Sequence, residues 1–151
     1  MGLDAVIAIA LALILVFAAL IDWREMILPD RLTLPLIPLG WAMAALRAPD
    51  LADRLIGSAA GFAAFAGIAA LYRRLRGRDG LGLGDAKLLA AAGAWVGWRD
   101  LPSVVLLGAV AALTWALVTR RDPRRPLPFG PFLAASFWLV WRFGGLNVVS
   151  H

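Results

Sequence analysis

The 151-residue sequence has no cysteine, and its one histidine is the terminal His151. The first absence excludes disulfides, zinc–thiolate sites and a cysteine nucleophile. The second excludes serine–histidine triads and multi-histidine metal centres. Chemistry on this chain therefore rests on carboxylates, lysine, tyrosine or serine, and neither a metal nor a cofactor is expected. Long polar stretches are missing as well. Hydrophobic residues make up 62% of the chain and charged ones 17%, with a mean hydropathy of +0.79. A soluble domain is about 45–50% apolar, and a chain this short encloses too little volume to hide the excess. The bilayer is the solvent that this composition fits.

Six apolar runs follow one another: Ala5–Ile21, Thr33–Leu46, Leu55–Tyr72, Leu88–Trp98, Ser103–Thr119 and Leu127–Trp141. The first lacks a basic leader and a small-residue cleavage site, so it reads as a retained span. The second, with Pro35 and Pro38, and the fourth are short for a span of about 20 residues. Charge placement argues for counting both. With six spans, the loops carrying Arg24, Arg31, Arg73, Arg74, Arg76, Arg78, Lys87, Arg120, Arg121, Arg124 and Arg125 share one side. Arg47, Arg54, Arg99 and Arg142 remain on the other. The positive-inside rule then places the richer side in the cytoplasm. The expected fold is an all-α, polytopic membrane bundle of about six transmembrane helices, forming one domain over residues 1–151. The net charge of +5 belongs to topology and to lipid headgroups, not to nucleic acid.

Small residues crowd the third and fourth runs. Gly57-x-x-x-Gly61 and Gly93-x-x-x-Gly97 predict close helix approach. Trp41, Trp95, Trp98, Trp115, Trp138 and Trp141 fall mostly near run ends, as an aromatic belt would.

Of ten acidic residues, Asp4, Asp50, Asp53, Asp79, Asp100 and Asp122 lie in loops or tails and read as solvated charge. Asp22, Glu25, Asp30 and Asp85 remain. Asp22 ends the first run, and Asp85 precedes the fourth in Gly80-Leu81-Gly82-Leu83-Gly84-Asp85-Ala86-Lys87. Both fall on the arginine-rich side. An ionisable residue at a membrane edge either terminates a helix or works for a living site. The alternating Gly80, Gly82 and Gly84 suit a backbone that approaches another chain closely or takes positive φ beside Asp85. They lack the Gly-Lys-Ser/Thr ending of a phosphate loop. Two carboxylates brought together share one proton, so that one activates water while the other protonates a scissile carbonyl. Helix polarity predicts the neutral acid at Asp22, a C-terminal end, and the carboxylate at Asp85, an N-terminal end.

Three stretches resemble the type IV prepilin peptidases, membrane aspartyl proteases of the A24 type: Ile21-Asp22-Trp23-Arg24 through Leu28-Pro29-Asp30-Arg31-Leu32-Thr33-Leu34-Pro35; Gly82-Leu83-Gly84-Asp85-Ala86-Lys87; and Leu127-Pro128-Phe129-Gly130-Pro131. The resemblance implies that Asp22 and Asp85 are the catalytic pair, supported by Gly82, Gly84, Lys87 and Asp30. Lys87 is expected to tune Asp85, and Asp30 to cap or fix the loop before Thr33. It also implies cleavage of prepilin or pseudopilin-like precursors after a short basic leader, at the cytoplasmic face of a bacterial inner membrane. Longer members carry an N-terminal region with paired cysteines, and many methylate the new N-terminus. This chain resembles a minimal form, without expected methyltransferase activity. Two competing expectations stand beside this one. One is a non-enzymatic membrane subunit or small proton/cation-coupled transporter, whose carboxylates would lie deep in the bilayer. The other is a Gly-x-Gly-Asp protease cutting within a substrate's span, which usually places its first aspartate after tyrosine, where this chain has Ile21.

Overall fold

Long apolar runs bounded by charge become helices because a backbone in lipid has to satisfy its own hydrogen bonds. The structure, a computed structural model, describes residues 2–47, 50–77 and 82–144. Asp79, Gly80 and His151 lie outside the described residues. Seven helices follow in order: α1 (Leu3–Glu25), α2 (Asp30–Thr33), α3 (Leu36–Arg47), α4 (Leu51–Arg76), α5 (Leu83–Val96), α6 (Leu101–Val118) and α7 (Gly130–Phe143). No strand occurs among the described residues. Each of the six apolar runs contains a helix, and the bundle is that of a membrane protein. Three helices, α1, α4 and α6, are long and apolar enough to cross a membrane unaided. The other long segments, α3, α5 and α7, have 12, 14 and 14 residues.

Proline and glycine mark the breaks. Pro35 separates the single turn of α2 from α3, while Pro38 sits in the first turn of α3, where its missing N–H costs nothing. Pro102 and Pro131 open α6 and α7 in the same way. Gly77 closes α4 in a left-handed conformation at φ 67°. At the end of α1 the left-handed residue is Met26, at φ 57°, and the chain turns sharply back there.

On α1 the buried positions Ala8, Leu11, Leu15, Ala18 and Asp22 form one stripe at helical spacing. Leu13, Val16, Phe17 and Leu20 face outward, as lipid-facing residues do. Asp22 is therefore the inner-face terminus of an otherwise apolar stripe.

Helix α5 explains its own brevity. Ala86 and every residue from Leu88 to Val96 are buried, because α5 is surrounded by α2, α3, α4, α6 and α7. A helix apolar all round belongs at the centre of a bundle. At 1.5 Å per residue its 14 residues cover about 21 Å. The glycine motifs do what their spacing predicts. A Cβ on Gly93 would collide with the Gly57 backbone, and one on Gly61 would stand 2.8 Å from the Leu89 carbonyl oxygen.

Three tryptophans depart from the belt. Trp95, on buried α5, donates its indole N–H to the Leu36 carbonyl at 2.7 Å. Trp138 donates to Ala8 O at 3.1 Å, and Trp41 to Ser58 Oγ at 3.0 Å. Each fastens two helices together by a bond worth about 1 kcal/mol. Trp98 and Trp115 remain exposed, as the belt requires.

Candidate active site

The three stretches that carry the family resemblance converge on one cavity of about 470 Å³. Asp22, Met26, Ile27 and Leu28 line it from the end of α1 and the following loop. Asp30 comes from α2. Gly82, Leu83, Gly84, Asp85 and Lys87 come from the start of α5, and Pro126, Leu127, Pro128 and Phe129 from the approach to α7. All six site residues expected from sequence are thus brought together.

Asp22 lies in the last turn of α1 and Asp85 in the first turn of α5. Both side chains are drawn from helix ends rather than helix centres, and they are close enough to repel each other electrostatically. Among the described residues no three His, Cys, Asp or Glu side chains gather as a metal site would require.

Lys87 forms an ion pair with Asp30. Its Nζ donates to both carboxylate oxygens of Asp30, each at 2.8 Å. The pair ties α2 to α5 at the cavity wall. Asp30 consequently does not cap α2, which has no side-chain cap. The short loop before Thr33 is held by the backbone and hydroxyl of Thr33 reaching Pro29 O.

The two glycines before Asp85 differ. Gly82 caps α5 at φ −74°, and a Cβ there would meet only the Gly84 nitrogen at 3.9 Å, an ordinary contact. Gly84 lies inside the helix, where a Cβ would stand 2.9 Å from Leu28 Cβ. Close approach, not positive φ, is the reason for glycine at 84.

Sequence reasoning assigned no role to Gly130, yet its backbone N–H faces the Asp22 carboxylate. A Cβ on Gly130 would lie 2.5 Å from Asp22 Oδ2. Gly130 is the first residue of α7, so Asp22 stands against a positive helix end from a second helix. That opposes the influence of its own C-terminal end. The available signal was the Phe129-Gly130-Pro131 string, a helix start that needs no side chain. Arg121 steadies the segment leading there by donating to Pro126 O at 2.9 Å.

Asp53 corrects a second expectation. It is no solvated loop charge. It sits in the first turn of α4, its carboxylate lies against Gly97, and Arg99 approaches to 4.0 Å. Asp4 pairs with Arg47. Neither residue lines the cavity.

Comparison with known proteins gives the same direction. The Type IV leader peptidase family matches residues 9–117. The prepilin leader peptidase/N-methyltransferase of Aeromonas salmonicida (strain A449) is 38% identical over 148 residues, covering 95% of this chain and 51% of that protein. The protein of the same description from Burkholderia pseudomallei (strain K96243) is 45% identical over 150 residues, covering 93% and 47%. Leader peptidase HopD of Escherichia coli is 45% identical over 125 residues, covering 79% of this chain and 81% of its own length. The chain spans about half the length of the two longer relatives. No solved structure matches.

Proposed function

Because the chain belongs to the type IV leader peptidase family, we propose that it is a membrane aspartyl endopeptidase removing the leader of prepilin-like precursors, with Asp22 and Asp85 as its dyad. The observation that carries this reading is that the two aspartates, 63 positions apart in sequence, line one open cavity.

The shared proton rests on Asp85. Asp22 has the Gly130 N–H to stabilise its carboxylate form. Among the described residues none donates a hydrogen bond to Asp85. Asp22 then takes a proton from water, whose oxygen attacks the scissile carbonyl carbon, while Asp85 gives its proton to the carbonyl oxygen. Collapse of the tetrahedral diol breaks the C–N bond. Asp22 passes its proton to the leaving nitrogen, the new N-terminus, and a diol hydroxyl returns a proton to Asp85. Both groups end as they began.

The cavity opens on the cytoplasmic side of a bacterial inner membrane. Arginine-rich loops flank the segments that line it. The substrate's apolar segment lies in a second, apolar groove of about 510 Å³ between α3 and α4, lined by Leu34, Ile37, Trp41, Leu55 and Phe62. Lys87 lines both the groove and the cavity, so the two spaces adjoin. Glu25 is exposed at the end of α1, available to the basic leader, whereas Asp30 is engaged with Lys87. The transporter reading places its carboxylates deep in the bilayer, and helix-end aspartates do not favour it.

Co-expression with a prepilin-like precursor tests the proposal. Asp22→Asn and Asp85→Asn each lower processing by at least about 10³-fold. Processing that survives both substitutions ends the dyad reading.

A further inference from the structure

Leu28 lies in the short loop between α1 and α2 and is 5% exposed. Its surroundings are unusual for a loop residue. A Cβ on Gly84 would stand 2.9 Å from Leu28 Cβ, and one on Gly130 would stand 3.1 Å from Leu28 Cδ1. Two different helix starts have therefore given up their side chains to the same leucine. Gly84 immediately precedes Asp85, and Gly130 directly abuts the Asp22 carboxylate. A continuous line of contact runs from Asp22 through Gly130 and Leu28 to Gly84, the residue beside Asp85. The left-handed turn at Met26, whose N–H returns to Asp22 O at 2.8 Å, is what sends Leu28 back between the two helices.

We propose that Leu28 is a positioning residue: an apolar spacer that sets the separation of the Asp22 and Asp85 carboxylates. This rests on the dyad reading above. Interiors are close-packed and resist small displacements, so an incompressible side chain between two helix ends transmits its size to whatever those ends carry. Leu28 also contributes to the cavity wall, but its chemistry there is inert. Its importance is geometric. The titratable groups facing the cavity are Asp22 from α1, Asp30 from α2, and Asp85 and Lys87 from α5, while the segment before α7 supplies none. Lys87 and Asp30 are already paired. The mutual spacing of Asp22 and Asp85 is thus the variable that Leu28 governs.

Two interacting carboxylates titrate as a unit, and the separation of the acid and alkaline limbs of the rate profile reports their coupling. The test is the pH dependence of kcat/KM for the full chain in lipid, on a prepilin-like precursor, with Leu28→Ala, Leu28→Val and the volume-conserving Leu28→Met. The expected result for Leu28→Ala is a fall in kcat of about 100-fold, as a misplacement of 1 Å produces. KM changes little, and the limb separation shifts by at least about half a pH unit. Leu28→Met restores both kcat and the limbs. If Leu28→Ala does not fold, Leu28→Val carries the same expectation at smaller amplitude. A lowered rate with unmoved limbs, or no rescue by methionine, overturns the spacer. Asp22→Asn is the parallel control: activity retained there overturns the dyad itself, whereas an inactive Asp22→Asn with unmoved Leu28 profiles overturns only the spacer.

Discussion

At the scale of single residues, the most informative side chain is one that is absent. Gly130 has no side chain, and the space is taken by the Asp22 carboxylate and Leu28. A methyl there would meet the movable end of Asp22, so the fold survives and the carboxylate is displaced. Gly130→Ala is therefore expected to lower kcat by about 100-fold with little loss of folded protein. Gly82→Ala, which meets only an ordinary contact at 3.9 Å, is expected to stay within about twofold of wild type in the same assay. Equal effects of the two substitutions would refute this ranking. The contrast also shows what was legible beforehand. Asp22 and Asp85 stand out because carboxylates at the edges of apolar runs are costly. The N–H of Gly130 does not stand out, because every residue but proline has one. Lys87 and Asp30, 57 positions apart in sequence, have no local signature of their pairing.

Among the elements, α4 and α5 form the most intimate contact of the bundle. The Gly93 and Gly57 backbones meet with no room for a Cβ. Gly93→Ala is expected to destabilise the protein by about 1–3 kcal/mol through forced separation of the helices. Gly67, on the same α4 but with nothing within 4 Å of its ideal Cβ, is the control. Gly67→Ala is expected to be neutral or stabilising by roughly 0.5–1 kcal/mol. Thermal unfolding in one detergent reads both, and a Gly93→Ala protein as stable as wild type would contradict the packing. These helices were readable from small-residue spacing because close approach requires it. The centrality of α5 was not. Length alone makes it a doubtful span, and only the burial of Ala86 and of every residue from Leu88 to Val96 explains why a short apolar helix persists. Trp95 has the same cause: an indole near a run end looks like a belt residue, and only its N–H on the Leu36 carbonyl marks it as a core residue.

For the whole molecule, orientation is the open prediction, and the missing cysteines make it clean to test. A single cysteine introduced at Arg124 or at Asp50 is the only thiol in the chain. With the arginine-rich side in the cytoplasm, a membrane-impermeant maleimide added to intact cells modifies the cysteine at 50 and spares that at 124. After lysis both react. The reverse pattern would invert the topology. The expectation rests on a charge census that folding leaves unchanged.

The length of α5 carries a consequence for the lipid itself. About 21 Å of helix stands where the hydrocarbon layer is about 30 Å thick. The deficit, about 9 Å, is not covered by more helix at the end where Asp85 lies; that is where the cavity opens. A bundle built around so short a central helix is expected to thin the surrounding bilayer on the cavity side.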